Sequence, residues 1–211
     1  STITRDFPAL PRHSPLVPRP CSASIHAMNP APNLFFVGPM GAGKTTIGRR
    51  VAELLGLAFF DLDHEIEVHT GATIPLIFDL EGETGFRERE STQLAELAAG
   101  SGIVLSTGGG AVLDPANRSC LRERGFVVYL ETTVDQQLSR LARDRHRPLL
   151  ATPDREERLI ALAAARDPFY REVADLTVPA AHGRNVSAAA SQLAAELRQH
   201  WQRGDASGRA A

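Results

Sequence analysis

Hydrophobic and polar positions along the chain alternate between two kinds of run. Compact apolar stretches of three to five residues, Leu34–Val37, Leu57–Phe60, Ile103–Leu105 and Phe126–Leu130, read as strands. The last of these is the clearest β-branched and aromatic run. A further short strand is predicted over 175–178. Between them lie segments with helical spacing of apolar residues: 46–55, short pieces around 64–69 and 74–80, then 83–99, 115–124, 134–143, 155–173 and 187–201. Thr70-Gly71 separates the two short pieces, and Pro115 opens its helix at the first turn. Strands that alternate with helices in this way predict an α/β fold, a doubly wound parallel sheet of five strands flanked by helices. The run 57–60 reads as a buried parallel strand, and the acids that close it fall where such sheets place their chemistry.

The stretch Gly38-Pro39-Met40-Gly41-Ala42-Gly43-Lys44-Thr45 joins the first strand to the first helix. Strand, glycine loop, Lys-Thr and helix in that order make G-x-x-x-x-G-K-[ST] a phosphate-binding loop. Its glycines let successive backbone N–H groups point inward, and the helix start adds partial positive charge along the same line. Lys44 reaches β- and γ-phosphates, and the Thr45 hydroxyl can ligate Mg²⁺. Lys44 is the only lysine among 23 basic residues, so an ammonium is specifically retained here.

Composition narrows the classes that remain. A chain of 211 residues suffices for one α/β domain with tails. The formal net charge of −2 carries no electrostatic footprint for nucleic acid. No apolar run approaches the roughly 18–20 residues of a membrane-spanning helix. Cys21 and Cys120 make neither a disulfide framework nor a metal-ligand spacing, and fit a reducing cytosol. Pro8, Pro11, Pro15, Pro18 and Pro20 lie among Ser, Thr and Arg, so 1–30 is expected to be a disordered extension ahead of a domain over 31–203. Met28 has the look of a natural start, and the other reading of the segment is a transit peptide. The polar residues 204–211 are expected to form a flexible tail.

Several further groups carry candidate chemistry. Asp61 and Asp63 stand two apart on what reads as extended chain, pointing to one side. One would hold metal-bound water and the other would meet an acceptor hydroxyl; alternatively Asp63 caps the next helix. Arg87 and Glu90 are helix neighbours, either a surface ion pair or a carboxylate that aims a guanidinium fork at an anion. Gly108, Gly109 and Gly110 follow a strand, and either present backbone N–H groups to a ligand or form a flexible turn. Arg140, Arg143, Arg145 and Arg147 cluster before Pro148, as a solvated basic loop or a mobile lid that closes over ATP. Arg166 is a further cation on the following helix.

Taken together these segments resemble the shikimate kinase family, from about Leu34 to the last helix. The likeness rests on GPMGAGKTT, FFDLDHEIE, GETGFREREST, STGGGAV, RPLL and ARDPFYREVAD, in the family's order. It implies the P-loop kinase fold and ATP-dependent phosphorylation of the 3-hydroxyl of shikimate, in the chorismate route to aromatic amino acids. By the same resemblance Gly41, Ala42, Gly43, Lys44, Thr45 and Thr46 bind ATP, and Thr45 and Asp61 serve Mg²⁺. Asp63 binds ring hydroxyls and accepts the proton, Arg87 and Arg166 hold the substrate carboxylate, and Gly108, Gly109 and Gly110 contact a hydroxyl. Lys44 and Arg147 act on the transferring group, while Arg140 and Arg184 match arginines near the nucleotide. A cytoplasmic monomer is implied as well. A gluconate kinase of the same fold and a regulatory domain without catalysis are the rival readings. The glycine triplet and the Phe-Arg-x-x-Glu segment weigh against the first, and the retained Lys44, Thr45, Asp63 and Arg147 against the second.

Overall fold

The computed structural model describes residues 31–141, 154–179 and 185–201. The expected extension over 1–30, the tail over 204–211, the lid arginines Arg143, Arg145 and Arg147, and Arg184 all lie outside the described residues.

Five parallel strands form one sheet: β1 (Asn33–Val37), β2 (Ala58–Asp61), β3 (Ile103–Ser106), β4 (Gly125–Glu131) and β5 (Leu176–Pro179). Their order is β2-β3-β1-β4-β5, with β1 in the centre, its Phe35 paired to Leu105 on one side and Val127 on the other. The helices are α1 (Lys44–Leu55), α2 (Leu62–Thr70), α3 (Ile74–Ala98), α4 (Pro115–Arg124), α5 (Val134–Leu141), α6 (Arg155–Val173) and α7 (Val186–His200). Gly82, with φ 69° and ψ −173°, breaks α3 into the two pieces expected from the sequence.

β1 is buried at every position because both sheet faces are covered. Its alternate side chains feed two cores. Leu34 and Phe36 pack with Ile47 and Val51 of α1 and with Leu193 and Leu197 of α7. Phe35 and Val37 pack with Leu62, Ile77, Leu94, Leu121 and Tyr170, contributed by α2, α3, α4 and α6. At the amino edge of the sheet the buried Asn33 side chain ties three segments together. Its amide donates to the carbonyls of Ala98, Gly100 and Arg124 and its oxygen accepts from Ile103 N. A buried amide with every partner met fixes where α3 and α4 return to the sheet.

Two details differ from expectation. β2 is an edge strand rather than a buried one, exposed at Ala58 and half-buried from Phe59 to Asp61. Phe59 and Phe60 pack on opposite faces of the sheet, one with each core, which gives the run its fully apolar look. The first helix begins at Lys44, two residues earlier than the apolar periodicity places it.

Candidate active site

The carboxyl ends of β1, β2 and β3 converge on one crevice. From β1 the chain enters the glycine loop, where Gly41 and Gly43 take φ of 77° and 94°, a left-handed conformation that a Cβ disfavours. Gly43 then caps α1 through its backbone, with no side-chain oxygen in the way of an anion. Lys44 is buried, and its Nζ donates to the carbonyls of Gly38 at 2.7 Å and Pro39 at 3.0 Å. That folds the ammonium back over the loop, where a phosphate chain would lie. From the side, Arg140 of α5 donates to the carbonyls of Gly41 at 2.9 Å and Ala42 at 3.1 Å.

At the start of α1 three oxygens gather. Thr45 Oγ1 donates to Asp61 Oδ2 at 2.6 Å and stands 3.4 Å from Ser106 Oγ. Hydroxyl and carboxylate oxygens form a hard-donor set suited to Mg²⁺, which prefers few protein ligands and keeps water and phosphate oxygens around itself. Among the described residues no group of three His, Cys, Asp or Glu forms an all-protein metal cage. Thr45 and Asp61 therefore fit the ion as a partner of bound nucleotide. Ser106 was missed by sequence reasoning, although a hydroxyl closing β3 beside the glycine triplet was visible.

Asp61 and Asp63 do not share an extended segment. β2 ends at Asp61, α2 begins at Leu62, and Asp61 itself caps that helix by accepting from His64 N. The cap role expected of Asp63 thus belongs to Asp61, and Asp63 sits in the first turn. The two carboxylates have different neighbours: Asp61 meets the Thr45 hydroxyl, and Asp63 lies beside Gly108.

The triplet is not left-handed, since Gly108, Gly109 and Gly110 all lack positive φ. Thr107 anchors its start, with both backbone N–H and Oγ1 donating to the carbonyl of Phe36. Space is what requires glycine here. A Cβ on Gly108 would collide with Glu90 Oε1 and come within 3.1 Å of Asp63 Oδ1. One on Gly110 would collide with the Arg87 guanidinium, and one on Gly109 would lie 3.6 Å from Arg166 Nη1. Side chains from α2, α3 and α6 therefore close in on one bare stretch of backbone.

Arg87 and Glu90 are no surface pair. Glu90 is 1% exposed, and its Oε2 accepts from Arg87 Nη1 at 2.6 Å. Its Oε1 is buried without a hydrogen-bond partner and faces Gly108. Burial pushes the Glu90 carboxyl up, with Arg87 pulling it back. Arg87 is desolvated too, yet Glu90 and Glu83 hold its guanidinium above the usual value. Arg166 is 6% exposed in the body of α6, not a solvated helix end, and its Nη1 donates to the Gly109 carbonyl at 3.3 Å. The cluster so formed brings the guanidinium groups of Arg87 and Arg166 and the carboxylates of Asp63 and Glu90 against bare backbone, next to a phosphate loop.

Comparisons with known proteins bear on the family and the fold. A family model described as shikimate kinase matches residues 40–199. A shikimate kinase of Stenotrophomonas maltophilia (strain R551-3) is 56% identical over 178 residues, covering 84% of this chain and 98% of that protein. One from Pseudomonas entomophila (strain L48) is 62% identical over 146 residues, covering 69% of this chain and 85% of that one. The solved shikimate kinase of Acinetobacter baumannii in complex with shikimate matches with a TM-score of 0.73 at 52% identity, over 80% of this chain and 91% of its own.

Proposed function

This chain belongs to the shikimate kinase family, and on that premise we propose that it transfers the γ-phosphoryl group of ATP to the 3-hydroxyl of shikimate. Shikimate is a small hydroxylated ring with one carboxylate. Arg87 and Arg166 meeting across the glycine triplet is the observation that carries the reading, because a planar carboxylate suits two guanidinium forks. Asp63, beside Gly108, takes the ring hydroxyls and receives the proton from the attacking oxygen. Gly108, Gly109 and Gly110 leave room for the ring and offer it backbone contacts.

On the donor side, Gly41, Ala42, Gly43 and Thr46 surround the phosphates with N–H groups at the positive end of α1. Lys44 leaves the Gly38 and Pro39 carbonyls for β- and γ-phosphate oxygens. Thr45 and Asp61 hold Mg²⁺, which neutralises phosphate charge when bound. Arg147 and Arg184, outside the described residues, are assigned to the nucleotide by the family resemblance alone, Arg147 from a lid. Phosphoryl transfer needs positioning and charge neutralisation more than covalent help, and the site's inventory matches that need. A monomer working in the cytoplasm completes the reading, supported by the resemblance and the thiol-poor sequence. Incubation with ATP, Mg²⁺ and either shikimate or gluconate, with ADP release followed, tests it. Release with shikimate is expected, and release with gluconate alone overturns it.

A further inference from the structure

Arg166 and Tyr170 stand one turn apart on α6 and so share a face. Both reach the same atom: Arg166 Nη1 and the Tyr170 hydroxyl each donate to the Gly109 carbonyl oxygen. The Tyr170 ring is 1% exposed and stacks on Tyr129, centroids 5.1 Å apart and planes 25° from parallel. Tyr129 is held in turn, its hydroxyl donating to Asp167 Oδ1 at 2.7 Å, while Arg171 bridges Asp167 and Glu131. Burial pushes the Tyr170 phenol up to about 12, so it remains a neutral donor at working pH.

The shared acceptor belongs to the peptide that joins Gly109 to Gly110. A trans peptide is planar, and its carbonyl and following N–H point in opposite directions. Holding the carbonyl toward α6 therefore turns the Gly110 N–H away from it. With glycine on both sides, no Cβ resists rotation of this peptide plane, so its orientation must be imposed from outside. Arg166 is an incomplete clamp, because the same guanidinium serves the substrate carboxylate. The phenol oxygen also lies against the Arg166 guanidinium, so it braces that group as well as the peptide.

We infer that Tyr170 is a positioning residue for the acceptor, locking the Gly109–Gly110 peptide and, through the shared oxygen, the Arg166 guanidinium, without touching substrate itself. This rests on the acceptor site proposed above. Tyr170→Phe keeps the ring on Tyr129 and the core volume while removing the donor. Loss of the neutral bond to Gly109 alone predicts a roughly 2- to 12-fold rise in the shikimate KM and calorimetric Kd, and the lost contact with Arg166 acts in the same direction. The ATP KM and kcat should stay within about twofold of wild type, which a general loosening would not permit. Tyr129→Phe breaks the bond to Asp167 but leaves both Gly109 donors, so its shikimate KM should stay within about twofold. An unchanged shikimate KM in Tyr170→Phe overturns the inference. So does an equal rise in both KM values, or a rise in Tyr129→Phe that matches it. Failure of the wild type itself to phosphorylate shikimate would refute the acceptor assignment instead.

Discussion

Arg87→Met separates two roles that the Arg87–Glu90 pair combines. If Arg87 grips the substrate carboxylate, removing its fork deletes charge-assisted bonds worth about 1.5–3 kcal/mol, a roughly 10- to 150-fold rise in the shikimate KM. The ATP KM should not follow, because Arg87 lies with Gly110 and not with the phosphate loop. The same change leaves Glu90, 1% exposed, without its ion-pair partner. Breaking a buried pair costs about 3–5 kcal/mol when the remaining charge must persist. Here the carboxyl is already raised by burial and can take up a proton, so a loss nearer about 2–3 kcal/mol is expected. Exposed Glu83 also loses Arg87, but a pair 57% open on that side adds little. The double variant Arg87→Met/Glu90→Gln removes the stranded charge, so most of the stability should return while the shikimate KM stays high. Steady-state kinetics and urea unfolding on wild type, single and double variants read both quantities. A shikimate KM near wild type in the single variant, or one restored in the double, would show that Arg87 only partners Glu90.

Asp63→Asn keeps the shape but not the base, and turnover should fall by on the order of 10²–10⁴-fold while calorimetry still shows ATP binding; near-normal turnover refutes the assignment. Gly108→Ala drives a methyl into Glu90 Oε1 and toward Asp63, so about 1–3 kcal/mol of stability should be lost, with a raised shikimate KM and intact ATP binding. A stability and KM equal to wild type would mean that the triplet is not spatially constrained. Glu90 also predicts a pH dependence. Its folded carboxyl lies above the ordinary 4.5, so its stabilising contribution is full below that value and is lost as pH rises through the raised folded one. Glu90→Gln should therefore gain stability relative to wild type as pH increases through that window, in urea titrations at stepped pH. A difference that is flat or of opposite slope contradicts the burial argument.

The phosphate loop was legible because its chemistry is local: strand, glycines, Lys44 and helix follow one another, and the structure moves the helix start by two residues only. The acceptor side was legible as a list of residues but not as geometry. Asp63 was placed on extended chain because the acid pair follows an apolar strand, yet the helix starts one residue after that strand ends. Gly109 meets Arg166 and Tyr170 across 57 and 61 residues of chain, and no periodicity encodes such a meeting. Spacing showed that Arg87 and Glu90 are neighbours but not that Glu90 is buried, since burial depends on β3 delivering bare backbone against α3. The edge position of β2 was hidden for a similar reason. Sheet order is a property of pairing, and Phe59-Phe60 looks the same at an edge covered on both faces as in a centre.

Strand order explains why donor and acceptor meet. β3 lies between β2 and β1 and pairs with both in parallel, so all three carboxyl ends open on one edge of the sheet. Neighbouring strands are about 4.8 Å apart, which sets the spacing between the phosphate loop leaving β1 and the glycine triplet leaving β3. The register aligns them further, with Phe36 opposite Ser106 and Asp61 opposite the same Ser106. Ser106 thus faces Thr45 and Asp61 on the donor side, and two residues later Gly108 faces Asp63 and Glu90 on the acceptor side. On the proposed reading, a phosphoryl group carried by the loop and a hydroxyl at Asp63 are brought together by this backbone pairing. Positioning of this kind accounts for several kcal/mol of a transfer barrier. On the same reading, the side chains proposed to select the acceptor come from α2, α3 and α6, apart from the donor loop that leads into α1.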